Sequence, residues 1–272
     1  MAKPRPNNED ESPAATARRL AMAETRLAEL PKPALRALSQ AYLDNNIERA
    51  LPLYQALVPI AQRHGVDPVE LISKHIVETR TEPNPLNPKT SEKGASGPFQ
   101  IMPDNRKLEN KSIKDPFLRD ADIAAQLISE GVKGKVSKQG RAVAYNAGIG
   151  RYREWGANPT AELPDEAVNY VVYSDYIEPK IAARLKSKTP LTPKVENPEF
   201  LKLRFDKDGK VRVSEAEYQQ KLAAELAERA RKAREEQAKA AAAAKSPKPK
   251  QTAKSAPKST PKKPATAPAK KR

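Results

Sequence analysis

The chain contains no cysteine and only two histidines, His64 and His75, in 272 residues. Disulfides, thiolate nucleophiles and cysteine-ligated zinc are thereby excluded, and no histidine-rich metal site is on offer. Aromatic residues are 5% of the sequence and apolar residues 38%, too little for the whole length to enter a core. One folded domain flanked by polar extensions is the expectation. No apolar run reaches the ~18 residues of a membrane-span candidate, and the opening stretch MAKPRPNNEDESPAATARR has no apolar centre of the kind an export signal carries. No membrane span is expected, and a route other than a cleaved leader is expected if the target lies outside the cytoplasm. Negative charge is missing altogether from residues 241–272, which hold nine Lys and one Arg and so supply +10 of the +16 formal net charge. The basicity belongs mainly to this tail.

The pattern along the chain predicts a disordered leader over 1–15, a helical N-terminal extension over 16–50, a main domain over 51–187, a linker with hairpin character over 188–213, a charged exposed helix over 214–244 and a disordered basic tail over 245–272. In the extension, Leu20, Ala23, Leu27 and Leu30 recur at three or four. Leu35, Leu38 and Tyr42 resume the spacing after the Pro31/Pro33 break. Helices are expected near 52–64, 68–81, 118–131, 138–146 and 163–185, and LKLRFDKDGKVRV, with Asp208-Gly209 as its turn, reads as a hairpin. Ser214 and Glu217 form a capping box, and Glu225–Arg229, Glu228–Lys232 and Arg231–Glu235 are spaced for ion pairs along one helix. Beyond Lys245 the Lys, Pro, Ala, Ser and Thr content cannot offset the entropy of ordering.

The run GVDPVELISKHIVETRTEP carries start and stop signals for a helix over 68–81. Asp67 caps it, Pro68 opens it, Glu70 completes a capping box, and Pro83 and Pro85 end it. Leu71, His75 and Glu78 share one face, while Val69, Ile72 and Ile76 line the neighbouring apolar one. Glu78 thus projects near the helix end beside apolar surface. Partial removal from water makes such a carboxyl harder to ionise, which suits a group that donates a proton near neutral pH. The alternative is a solvated glutamate paired with Arg80 or Lys74. His75 is expected to be structural.

Two further stretches have the composition of a ligand groove. In TSEKGASGPFQIMP, Gly94 and Gly97 permit tight turns, Gln100 offers both donor and acceptor to acetamido groups, and Met102 can line an irregular wall. In AVAYNAGIGRYREW, a short helix ending at Gly148/Gly150 presents Tyr145 and Asn146, and Tyr145 combines a flat apolar face with a hydroxyl at its rim. Tyr152 and Trp155 are expected to pack in the core.

Taken in order, GVDP at 65–68, Glu78-Thr79, GASGPFQIMP at 94–103, AYNAG at 144–148 and EAVNYV at 166–171 resemble the catalytic domain of the soluble lytic transglycosylases. The resemblance spans about residues 52–185 and implies a mainly α, lysozyme-like fold of the goose-type superfamily. It implies Glu78 as the sole acid/base, Thr79 in support, and Gln100, Met102, Tyr145, Asn146 and Glu166 along the substrate groove, with no metal and no organic cofactor. Thr79 stands where the family has Ser, and Pro98-Phe99 where it has Leu-Met. The interval between Glu78 and Gly94 is longer than the family shows, so counting backwards from the glycine loop offers Glu82 as the alternative acid/base. Helix register from GVDP favours Glu78, since loops absorb insertions more cheaply than helices. The implied activity is cleavage of the MurNAc-β-1,4-GlcNAc bond of peptidoglycan glycan strands to 1,6-anhydromuramoyl products. The alternatives are a hydrolytic lysozyme or endolysin acting at lysis, and a non-catalytic glycan-binding virion protein with a nucleic-acid-binding tail. The extension and the basic tail suggest a phage virion-associated enzyme. It would be made in the host cytoplasm, contact other virion proteins, act on the cell wall during genome delivery, and meet DNA or anionic envelope polymers through its tail.

Overall fold

The computed structural model describes residues 12–187, 198–201, 205 and 213–245. The leader up to residue 11, the tail beyond 245 and the hairpin segment apart from Leu201, Phe205 and Val213 lie outside the described residues. The chain divides into two units, residues 1–222 and 223–272. The first contains α1 (Pro13–Glu29), α2 (Ala37–Ala50), a 3-10 turn (Leu51–Leu53), α3 (Tyr54–Arg63), α4 (Pro68–Glu78), a second 3-10 stretch (Pro103–Leu108), α5 (Pro116–Lys133), α6 (Lys138–Ala147), α7 (Ile149–Ala157), α8 (Asp165–Lys186), α9 (Pro198–Leu201) and the start of α10 (Glu215–Lys245). No strand occurs among the described residues; an isolated antiparallel bridge joins Ser96 to Ile101.

Local sequence sets the starts of α1, α4, α5 and α6. The side chains of Ser12, Asp67, Asp115 and Ser137 accept from the free N–H groups of Ala15, Val69, Leu118 and Gly140, and proline opens α1, α4 and α5. Ser214 and Glu217 exchange hydrogen bonds in a capping box at the start of α10, where Tyr218 is fully buried. In the second unit the pairs Arg229–Glu225, Lys232–Glu228 and Arg231–Glu235 lie at 3.1, 3.4 and 2.7 Å along that helix.

Three expectations are corrected. First, α4 stops at Glu78 rather than 81, with Thr79 as its C-cap. Second, Glu70 does not close a capping box, because its carboxylate is turned inward to accept from Nε and Nη2 of Arg141 at 2.8 and 2.7 Å. Third, Gly148 at φ 91° ends α6 and leads directly into α7, a helix the glycine pair Gly148/Gly150 did not suggest. Tyr152 and Trp155 on α7 are buried in the core.

The core gathers Leu57, Leu71, Ile72, Ile76, Ile123 and Ile177 from α3, α4, α5 and α8, and α8 packs against both α4 and α6. The N-terminal helices belong to this body. Helix α1 lies on α7 so closely that a Cβ at Gly156 would sit 2.5 Å from the Arg19 carbonyl oxygen and 2.6 Å from the Ala23 nitrogen. Arg26 then pins the end of α7, donating to the carbonyls of Trp155, Asn158 (2.7 Å) and Ala161 (3.1 Å), with its guanidinium 4.3 Å from the centre of the Trp155 ring.

Gly156→Leu is therefore expected to destabilise the domain by ~1–3 kcal/mol, the usual range for overpacking a tight contact, and to expose the 30–36 linker to protease. Urea unfolding and limited proteolysis check this. An unchanged unfolding midpoint would show that α1 is not docked as described.

Candidate active site

Glu78 is the last residue of α4. Position matters here in two ways: the carbonyl-rich end of a helix disfavours a nearby anion, and packed protein closes around most of the carboxyl while leaving it partly open to a cleft. That opening is a cavity of about 240 Å³ lined by Glu78, Arg80, Asn146, Glu166, Asn169, Tyr170 and Tyr173. Burial raises the Glu78 pKa from 4.5 to about 7, the neighbouring Glu166 charge adds to the rise, and Tyr170, Arg80 and Lys74 work against it. The Tyr170 hydroxyl is fully buried beside the carboxyl, just outside tight hydrogen-bond geometry and with no other partner among the described residues. The net result is a carboxyl that can hold or release its proton around neutral pH.

The end of α4 is fixed from outside the helix. Asn46 on α2 donates through Nδ2 to the Ile76 carbonyl (3.0 Å) and to Oγ1 of Thr79 (2.9 Å). The Thr79 hydroxyl donates in turn to the His75 carbonyl at 2.7 Å, and both residues are fully buried. Arg49, also on α2, donates to the carbonyls of Glu82 and Pro83 at 2.8 and 2.6 Å and so anchors the following loop. His75 secures the opposite side. Its Nδ1 meets the Pro98 carbonyl at 2.9 Å, its ring lies against Phe99 and Phe117, and burial lowers its pKa to about 4, so it stays neutral.

The glycine-rich loop over 94–103 is built on the Ser96–Ile101 bridge and on buried Phe99 and Ile101. Gly97 is at φ 76°, and a Cβ there would run into Asp120, which is ion-paired with Arg106; Arg106 also donates to the Ser96 carbonyl at 2.9 Å. Glycine is required by both backbone and neighbour.

Of the residues singled out from the sequence, Glu78, Asn146 and Glu166 converge on the cavity. Tyr145 sits behind it, its hydroxyl donating to the Phe99 carbonyl at 2.8 Å and its ring 6.0 Å from that of Tyr170. Gln100, at φ 47°, turns its amide back onto the Gly97 and Lys89 carbonyls at 3.1 and 3.3 Å. Met102 is 40% exposed and lies outside the cavity lining. Glu82 lies in the loop after α4, half-buried, with its carboxylate accepting weakly from the Lys89 N–H at 3.4 Å, and does not line the cavity.

Asn169, Tyr170 and Tyr173, to which no role is assigned from sequence, line the cavity from α8 together with Glu166. The signal was present, since 166, 169, 170 and 173 are spaced i, i+3, i+4 and i+7 on a single helix face. Lys74, one turn before Glu78, was read as a candidate surface partner for it. Instead it is completely buried, its ammonium without a hydrogen-bond partner among the described residues and 5.5 Å from the centre of the Tyr170 ring. Burial lowers its pKa, against the pull of Glu70, Glu178 and Glu78.

These shifts fix a pH dependence of stability. A carboxyl raised from 4.5 to about 7 contributes no penalty below pH 4.5 and a growing one as pH rises through 7, amounting to ~3 kcal/mol at most. Glu78→Gln is therefore expected to raise the unfolding free energy at pH 8 and to leave it nearly unchanged at pH 4.5, as measured by urea melts at both values. Equal effects at the two pH values would refute the burial account. Neutral His75 acts in the opposite sense, its contribution being full above pH 6.5 and lost as pH falls towards 4.

No curated protein matches the chain significantly. Against protein-family models, residues 57–168 match the Transglycosylase SLT domain, an assignment that takes in Glu78, the glycine loop, Asn146 and Glu166 and stops one residue before Asn169. Over that stretch the chain is similar to the Transglycosylase SLT domain.

Proposed function

We propose that this domain cleaves the β-1,4 bond between N-acetylmuramic acid and N-acetylglucosamine and releases 1,6-anhydromuramoyl ends, with Glu78 as acid and then base. The observation carrying this reading is a carboxyl at a cleft whose proton affinity has been moved to about pH 7 by burial. Protonated Glu78 gives its proton to the bridging oxygen as an oxocarbenium-like centre forms on the muramoyl residue. The substrate's own acetamido oxygen stabilises that centre, so a second catalytic carboxylate is not required. Glu78, now anionic, takes the proton of the muramoyl 6-hydroxyl as that oxygen closes onto C1. Tyr170 and Arg80 favour the anion and Glu166 disfavours it, which keeps the two protonation states close in energy.

In this reading Asn146 and Glu166 meet the sugar ring inside the cleft, Thr79 holds the catalytic residue through the helix end, and Tyr145 supports the glycine loop through Phe99. Gln100 and Met102 form the continuing glycan wall.

The deciding experiment is mass spectrometry of soluble products from purified peptidoglycan incubated with the full chain, Glu78→Gln and Glu82→Gln. Anhydro-ended muropeptides are expected from the parent and from Glu82→Gln, with a loss of ~10²–10⁴-fold in Glu78→Gln, the usual worth of a positioned general acid. Reducing ends instead would make the enzyme a hydrolytic lysozyme. Loss confined to Glu82→Gln would transfer the role to Glu82, and no product from the parent chain would leave a glycan-binding protein.

For its setting we propose a phage virion-associated enzyme acting at the cell wall, in contact with other virion proteins. Support comes from the +10 stretch at 241–272, suited to salt-sensitive, sequence-independent binding of DNA or anionic envelope polymers. Absence of the protein from purified particles would reject this setting without touching the chemistry.

A further inference from the structure

Beside the Glu78 cleft lies a second and larger one, of about 980 Å³, between the 30–36 linker, the first half of α8 and the segment around Glu162. The two share Asn169 and Tyr173 as lining residues, so they adjoin along one stretch of α8. One wall comes from the N-terminal extension, outside the residues that match the family. That wall is stiff: Pro31 and Pro33 restrict the linker, and Arg26 holds the facing carbonyls of Trp155, Asn158 and Ala161. The lining is of mixed charge. Arg36 is exposed and makes no ion pair among the described residues, and the same holds for Glu29, Glu162 and Asp165.

We propose that this cleft binds the peptide stem of peptidoglycan. The inference rests on the glycan-cleaving reading, since the muramoyl residue whose bond is broken carries its peptide on a lactyl arm of the same sugar. A strand seated in the Glu78 cleft must send that arm into a neighbouring space. The stem offers free carboxylates for Arg36, an amino group for Glu29, Glu162 or Asp165 where its third residue is a diamino acid, and backbone amides for the Asn169 side chain. A cleft preformed by the proline linker and the Arg26 clamp receives such a flexible ligand with less ordering on the protein side. The extension is thus a specificity element: it distinguishes peptide-bearing strands from bare glycan.

The test uses the full chain and two substrates, solubilised peptidoglycan strands with their stems and the same strands after removal of the stems by an amidase. Arg36→Glu and Glu162→Lys change exposed residues outside the catalytic cleft. Each is expected to slow cleavage of stem-bearing strands about tenfold, as for the loss of one charge-assisted hydrogen bond, and to leave the rate on stripped strands within about twofold. Equal losses on both substrates, or no loss on either, overturn the proposal. If the unaltered chain cuts neither substrate, the enzymatic reading has failed separately, and the cleft is judged by binding. Preference for stem-bearing over stripped strands that Arg36→Glu abolishes supports it; equal binding of the two overturns it.

Discussion

The rest of the site depends on one amide. Asn46, buried on α2, bonds both the Ile76 carbonyl and the Thr79 hydroxyl and so decides where α4 ends. A helix end has free carbonyls that must find partners. Here they find them on a neighbouring helix rather than in water, and Glu78 is consequently held in one orientation at the mouth of the cleft. Thr79, which stands where serine was expected, keeps the hydroxyl this arrangement uses, and its branched Cβ restricts the rotamer. Arg49 extends the same clamp to the loop that carries Glu82.

The electrostatic character of the domain follows from that placement. Glu78 is held where its charged form is disfavoured and His75 where its charged form is disfavoured too, with opposite signs of charge. Stability is therefore eroded from both ends of the pH scale by residues one helical turn apart. Beneath them lies a buried group of charges, Glu70 bonded to Arg141 and Lys74 without a hydrogen-bond partner among the described residues. Such groups are expensive to bury. Here they link α4 to α6 and sit under Tyr170, the residue in closest electrostatic contact with the catalytic candidate from α8.

Elements fixed by their own residues were readable in the sequence. Asp67 and Pro68 set the register that puts Glu78 on the buried face, and Gly97 is needed both by its backbone angle and by Asp120. Pairings made across the fold were not. Nothing in ELISKH marks Glu70 and Lys74 as buried, because Arg141, which bonds Glu70, and Glu178, whose charge acts on Lys74, come from helices far along the chain. Helix α7 was hidden by a glycine pair that reads as punctuation, yet Gly148 only turns the chain and Gly150 is accommodated inside the next helix. Tyr170 lay within a recognised motif, but its contact with Glu78 depends on how α8 packs on α4.

The dependence on Asn46 also separates two ideas of what a domain is. Residues 57–168 are the part recognisable by family pattern, while the groups that complete the working environment lie on either side, Asn46 and Arg49 before it and Asn169, Tyr170 and Tyr173 after it. A graft made at the recognisable borders would move the carboxyl without its supports. For chimeras and fusions, the portable cassette is the whole first unit, from α1 through the buried Tyr218 at the start of α10.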